Sequence, residues 1–194
     1  MSAEPLSAEI KGRVSAEVTR IRHDKGIAPK LVALLIGDDP ISRTYVNLKR
    51  ADCAQVGIIS EVVDLSVLPS AEIRSKVDDT IKRLNEDPSV KAIIPQMPFD
   101  GKVPEELVFS LLSPDKDVDG LTPFRLGKLM RKEYSLENSL LPCTPKGIVT
   151  LLLHYGVKIE GANVAIIGRS VLVSEPLRKL LQDLNATATC YHTH

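Results

Sequence analysis

Three short apolar runs, each separated from the next by a helical stretch, restrict the fold more than anything else in the chain. Leu31 to Ile36 is continuously apolar and long enough for a strand buried on both faces. Ile58 to Val63 and Val90 to Ile94 repeat the signal. Between the first two runs lies a segment opened by Pro40 and closed by Gly57. Between the second and third, Ser70 can cap a helix whose Ile73, Val77, Ile81 and Leu84 share one side. Strand, helix, strand, helix, strand predicts parallel pairing with crossover helices, because parallel neighbours cannot be joined by a tight turn. A leading helix is expected from Ile10, Val14, Val18 and Ile21, stopped by Gly26, and a short one from Pro104 to Leu112.

Downstream the pattern resumes. Thr122-Pro123 and Thr144-Pro145 are helix starts, the second helix running to Tyr155 before Gly156. Asn163 to Ile167 reads as a buried strand, Pro176 to Leu184 as a helix and Ala186 to Tyr191 as a last strand. Residues 131–141 are polar and aperiodic, which sets the expected boundary between a domain at 1–140 and another at 141–194. The fold class expected is α/β: an N-terminal domain with a parallel sheet, then an incomplete Rossmann-type domain. A mononucleotide-binding half needs strand-helix-strand-helix-strand, and only strand, helix, strand can be placed before His194. The exposed sheet edge is therefore expected to be covered, either by further chain or by a partner.

Composition removes several classes of function. Twenty-five acidic and 25 basic side chains cancel, so no electrostatic case exists for nucleic acid or an acidic membrane surface. Tryptophan is absent and aromatics make up 4%, which argues against base stacking. No apolar run spans a bilayer and the N-terminus lacks a secretory core, so a soluble cytoplasmic protein is expected. Cys53, Cys143 and Cys190 are odd in number and far apart, which suits reduced thiols and supports no metal site.

Tyr45 and Lys49 are four residues apart on the expected second helix and so project from one face. A phenol beside an amine can hold a substrate and move a proton, since a desolvated lysine titrates nearer neutrality. An ordinary exposed helix face has the same pattern. The run Val164 to Pro176 has the layout of strand, tight turn and helix N-terminus that brings backbone N–H groups to a phosphate. Only Gly168 is a glycine there, so spacing alone also permits an ordinary turn. The second strand ends in Cys190, Tyr191 and His192, without a carboxylate for a ribose hydroxyl. With Arg169 beside the turn this favours NADP, with NAD as the alternative. Short-chain dehydrogenases share Tyr-x-x-x-Lys, but their glycine turn precedes the pair, whereas here it follows far downstream.

Taken together, Gly37-Asp38-Asp39-Pro40-Ile41-Ser42 with Tyr45 and Lys49, Pro95-Gln96-Met97-Pro98, Lys116-Asp117-Val118-Asp119-Gly120, Pro142-Cys143-Thr144-Pro145-Lys146-Gly147 and Gly168-Arg169-Ser170 resemble, in order, the signatures of the methylenetetrahydrofolate dehydrogenase/methenyltetrahydrofolate cyclohydrolase family. The resemblance implies a bifunctional enzyme that oxidises 5,10-methylenetetrahydrofolate with NADP and hydrolyses the product to 10-formyltetrahydrofolate, working as a homodimer. It implies that residues 1–140 bind folate and 141–194 bind NAD(P). Lys49 corresponds to the catalytic lysine, Tyr45 to the ring that orients the folate, and Gln96 to the lysine's hydrogen-bond partner. Asp119 corresponds to the pterin ligand, and Ser42 to a secondary substrate contact. Gly168, Arg169 and Ser170 correspond to cofactor contacts, and His192 stands where a residue holding the NADP phosphate is common. The lesser alternatives are that Asp119 caps the Thr122 helix or sits in a turn, and that Gln96 satisfies a strand end.

Some positions depart from the family pattern. Ser174 and Glu175 replace a glycine and its neighbour near the pyrophosphate, Tyr191 replaces a histidine, and Pro95 replaces a valine. The family's later cofactor strands and its Pro-Val-Pro-Gly-Gly segment have no counterpart before His194, so a C-terminally truncated member is expected. Two other readings follow: an inactive product that only binds folate or another subunit, and a generic NADP-dependent dehydrogenase.

Overall fold

The computed structural model describes residues 1–193, with the Ser70 side chain outside the description. The described chain forms two compact units, Ser7–Asp117 and Met1–Leu6 together with Val118–His194.

In the first unit, α1 (Glu4–Lys25, all but its first turn), β1 (Lys30–Leu35), α2 (Pro40–Val56), β2 (Ile59–Asp64), α3 (Ser70–Glu86), β3 (Val90–Gln96) and α4 (Glu105–Leu111) follow one another. The strands form one parallel sheet in the order β2-β1-β3. The uninterrupted apolar run takes the central place, and Val32 through Ile36 are at most 2% exposed. Ala33, Leu35 and Val46 form a buried cluster with Val62 against it, so α2 covers one face. On α3, Ile73, Val77, Ile81 and Leu84 are buried as the periodicity requires. Edge strand β2 alternates between exposed and half-buried residues instead.

Pro95 fits within β3 because β3 is the other edge. Two residues earlier, the Ile93 N–H donates to Lys116 O, away from β1. The N–H that proline lacks at position 95 would point the same way, so no ladder bond is lost.

In the second unit, α5 (Pro123–Met130), α6 (Cys143–His154), β4 (Asn163–Ile167), α7 (Ser174–Asp183) and β5 (Thr187–Tyr191) follow in order, and β4 pairs with β5 in parallel. The polar stretch 131–141 does not divide the units, which part between Asp117 and Val118. Leu129, just before it, and Leu141, its last residue, belong to one buried cluster with Val149, Ile166, Leu177, Leu180 and Leu181. Tyr134 and Leu136, within it, pack on that cluster. A loop can thus be polar on average and still be pinned by its few apolar side chains.

Three local expectations are corrected. The capping position of α3 falls on Pro69, and Ser70 is the first helical residue. Helix α6 begins at Cys143 rather than Thr144, after Pro142. Strand β4 is not buried: of its five residues only Ile166 is, and Ile167 is 92% exposed. A strand with one neighbour and one covered face cannot bury both sets of alternating side chains.

Candidate active site

The first unit assembles a polar cluster at the carboxyl end of its sheet, where ligands of open parallel sheets bind. Gly37-Asp38-Asp39 leads from β1 into α2. The Asp39 carboxylate caps the helix by accepting the Ser42 N–H at 3.0 Å, and Pro40 supplies the first turn. At the far end Gly57 closes the helix with φ 86°, a backbone shape that favours glycine. Helix α2 buries Ser42, Val46, Cys53 and Val56 and leaves Ile41, Tyr45 and Leu48 exposed. Lys49 is half-buried and lies on the same side of the helix as Ser42, Val46 and Cys53.

Gln96, the last residue of β3, lies opposite Leu35 of β1. Its amide oxygen accepts from Lys49 Nζ at 3.0 Å and its amide nitrogen donates to Met97 O at 2.9 Å. The second bond fixes which end of the amide faces the amine. Lys49 and Gln96, 47 residues apart in sequence, thus meet directly. Tyr45 is 55% exposed one turn before Lys49, its ring open to a flat ligand.

Ser42 is placed under the cluster rather than in it. It is 1% exposed, and its hydroxyl lies 2.9 Å from Met97 O and 3.2 Å from the Asp39 carboxylate. It therefore ties α2 to the loop after β3, and it offers a ligand no accessible surface. The sequence reading missed Asp39 and the Met97 carbonyl, although Asp-Pro at the start of an amphipathic helix was a visible signal for the former.

A supporting network fixes the neighbouring loop. Arg43 donates to Asp64 at 2.8 Å, to Asp38 at 3.1 Å and to the Ser66 hydroxyl at 2.7 Å. Burial pushes the Asp64 carboxyl up, but bonds from Ser66 and Arg43 outweigh it and hold the group below the usual carboxylate range.

Asp119 belongs to the second unit and is half-buried. The cap of α5 is Thr122, whose hydroxyl accepts from Arg125 N at 3.4 Å, so Asp119 does not serve that purpose. Gly120 turns the chain with φ 67°, and a Cβ there would lie 2.6 Å from the Leu141 carbonyl carbon. The loop bearing Asp119 is thereby pressed against the entrance to α6. Lys146, in the first turns of α6, donates to Ser139 O at 3.1 Å, and burial lowers its ammonium below the usual lysine range.

The turn after β4 places Gly168, Arg169 and Ser170 at the carboxyl end of the two-stranded sheet. Ile167 pairs with Tyr191, so His192 leaves β5 beside Gly168. Gly168 has φ 137°, and a Cβ on it would stand 2.6 Å from Ser174 Oγ. Ser170 Oγ accepts from Val173 N at 3.2 Å and Ser174 N at 3.4 Å. Glu175 is turned along α7 onto Arg178, 2.7 Å away, so its charge is countered. A bare Cα, an exposed Arg169 and a helix start nearby suit a nucleotide phosphate. Among the described residues no group of three or more His, Cys, Asp or Glu could hold a metal, and no helix is long and apolar enough to cross a membrane.

Comparison with known proteins decides what this arrangement belongs to. Residues 1–119 match the family model for the tetrahydrofolate dehydrogenase/cyclohydrolase catalytic domain, and residues 142–194 match that for its NAD(P)-binding domain. The chain belongs to the tetrahydrofolate dehydrogenase/cyclohydrolase family.

The bifunctional protein FolD of Francisella tularensis subsp. holarctica is 41% identical over 193 residues, which are 99% of this chain and 66% of that protein. The crystal structure of the bifunctional FolD enzyme of Campylobacter jejuni is 34% identical with a TM-score of 0.86, over 97% of this chain and 64% of that one. The Trypanosoma brucei FolD, in complex with NADP cofactor and inhibitor, gives 30% identity and a TM-score of 0.90, over 99% and 63%. The chain thus spans just under two thirds of the length of these relatives. The family models leave residues 120–141 between them, which is where the second unit begins to form its core.

Proposed function

We propose that the chain carries the folate site of a methylenetetrahydrofolate dehydrogenase/methenyltetrahydrofolate cyclohydrolase. The observation that carries this reading is the Lys49–Gln96 hydrogen bond at the carboxyl end of the sheet, one helical turn from the exposed Tyr45 ring.

In the hydrolytic reaction, water adds to the electrophilic methenyl carbon and the five-membered ring then opens to the 10-formyl product. A proton must leave the water and another must reach the departing ring nitrogen. Lys49 is the group that moves them, with Gln96 holding Nζ in place through its oxygen. Tyr45 packs against the flat folate and fixes its height above the amine. Asp119 accepts from pterin N–H groups, a role that suits a carboxylate.

When bound, the nicotinamide cofactor supplies the hydride acceptor for oxidation of the methylene bridge. Gly168, Arg169, Ser170 and His192 hold its phosphates. Arg169 and the lack of an acid at Cys190-Tyr191-His192 favour NADP over NAD. We place the protein in the cytoplasm as a homodimer: all three cysteines are free, which suits a reducing compartment, and the dimer follows the family resemblance.

The test is spectroscopic. Loss of 5,10-methenyltetrahydrofolate absorbance should be accelerated by the chain and not by Gln96→Ala. Equal rates for both would refute the assignment. A second reading, folate binding without oxidation, is favoured by the open face of the β4–β5 sheet, where Ile167 and Tyr191 are 92% and 56% exposed. Titration calorimetry with NADP separates the two: binding that is lost in Arg169→Ala supports the oxidising enzyme.

A further inference from the structure

We infer that Asp100 is a positioning residue for the Lys49–Gln96 pair, acting as a latch between the loop that starts α2 and the loop that leaves β3. The inference rests on the proposed hydrolytic role of that pair.

Lys49 rides on α2, whose position is set by Gly37-Asp38-Asp39, while Gln96 stands at the head of Met97-Pro98-Phe99-Asp100-Gly101. The spacing between amine and amide is therefore the spacing between these two loops. One tie between them is the Ser42 hydroxyl at 2.9 Å from Met97 O. The second is Asp100, whose carboxylate accepts the Asp38 N–H at 2.6 Å, a short charge-assisted bond.

Two further observations show that this second contact is built. Gly37 does not occupy the left-handed region, so conformation does not demand a glycine there. Space does: a Cβ on Gly37 would lie 2.6 Å from Asp100 Oδ2 and would collide with Pro98 O. Asp100 itself has φ 53°, a backbone shape that L-residues other than Asn and Asp rarely adopt. Its carboxylate is aimed back at the first loop from that unfavourable conformation, and the bond it makes offsets the cost. The receiving residue is held from its other end as well, since the Asp38 carboxylate accepts from Arg43 at 3.1 Å. Among the described residues Asp100 makes no hydrogen bond to Lys49 or Gln96, and it acts through the loops that carry them.

Two variants test the latch in the full chain. Asp100→Gly keeps the left-handed backbone and removes the carboxylate, whereas Asp100→Asn keeps an oxygen that can accept the same N–H. For hydrolysis of 5,10-methenyltetrahydrofolate, kcat should fall about tenfold in Asp100→Gly, with KM changed by less than about twofold. Asp100→Asn should restore most of the loss. In ¹⁵N-labelled protein the side-chain amide resonances of Gln96 should shift in Asp100→Gly and stay in place in Asp100→Asn. Unshifted Gln96 resonances in Asp100→Gly overturn the latch, as does an Asn variant as impaired as the Gly variant, which would make charge the cause. If the parent chain hydrolyses nothing, the functional reading fails, and the Gln96 resonances still decide the latch.

Discussion

In the three-stranded sheet, β1 has a neighbour on each edge, and Val32, Leu34 and Ile36 are fully buried. In the two-stranded sheet, β4 carries aliphatic residues of the same kind, yet Ile167 stands 92% exposed. The same local signal has produced two different situations. An apolar run specifies a strand; its burial depends on what lies beside it and over it. The same contrast separates the two candidate sites. Lys49 is bonded to Gln96, which is itself held by Met97 O, whereas Arg169 and Ser170 lie on the surface of a small sheet.

The sharpest way to break this comparison is to truncate one aliphatic side chain in each sheet. Leu34→Ala should cost about 2–5 kcal/mol in urea unfolding, because it leaves a cavity in a closed core. Ile167→Ser should stay within about 0.5 kcal/mol, the range of ordinary surface changes. Comparable costs would show that the β4 face is covered in solution.

Between these extremes lies Lys116→Met. The Lys116 amine donates at 2.7 Å to both Leu84 O and Asp87 O at the end of α3, and burial lowers its ammonium below the usual lysine range. Loss of these bonds should destabilise the first unit by about 1–3 kcal/mol, read as a shift of the urea midpoint at constant slope.

A smaller effect is expected with acid. Bonds from the Ser89 hydroxyl and backbone N–H, aided by Lys30, lower the Asp87 carboxyl from 3.8 to about 2. A group lowered on folding adds stability above its unfolded value and loses it as pH falls through the folded one. The urea midpoint should therefore fall between about pH 4 and pH 2, and Asp87→Asn should flatten part of that slope. An unchanged slope in the variant would remove Asp87 from the account.

Most of the framework was legible because it is local. Leu31 to Ile36 announced the central strand, and the Ile73, Val77, Ile81, Leu84 row announced α3. The Thr122-Pro123 start was placed correctly by its own chemistry. What was not legible depended on contacts distant in sequence. The family resemblance suggests Ser42 as a secondary substrate contact, but its hydroxyl is committed to Met97 O, 55 residues away. Low periodicity over 131–141 suggests a boundary there, while Leu129 and Leu141 hold that stretch to the second unit's core. Tyr45 and Lys49 could be placed on one face by spacing alone, yet only the fold brings Gln96 to the amine.

The most direct test of the central claim is turnover by Lys49→Met. Methionine keeps the aliphatic stem of this half-buried side chain and removes the group that moves protons. Hydrolysis of 5,10-methenyltetrahydrofolate by the parent chain, abolished in a folded Lys49→Met variant, is the predicted result. Hydrolysis at an unchanged rate in that variant would contradict the account.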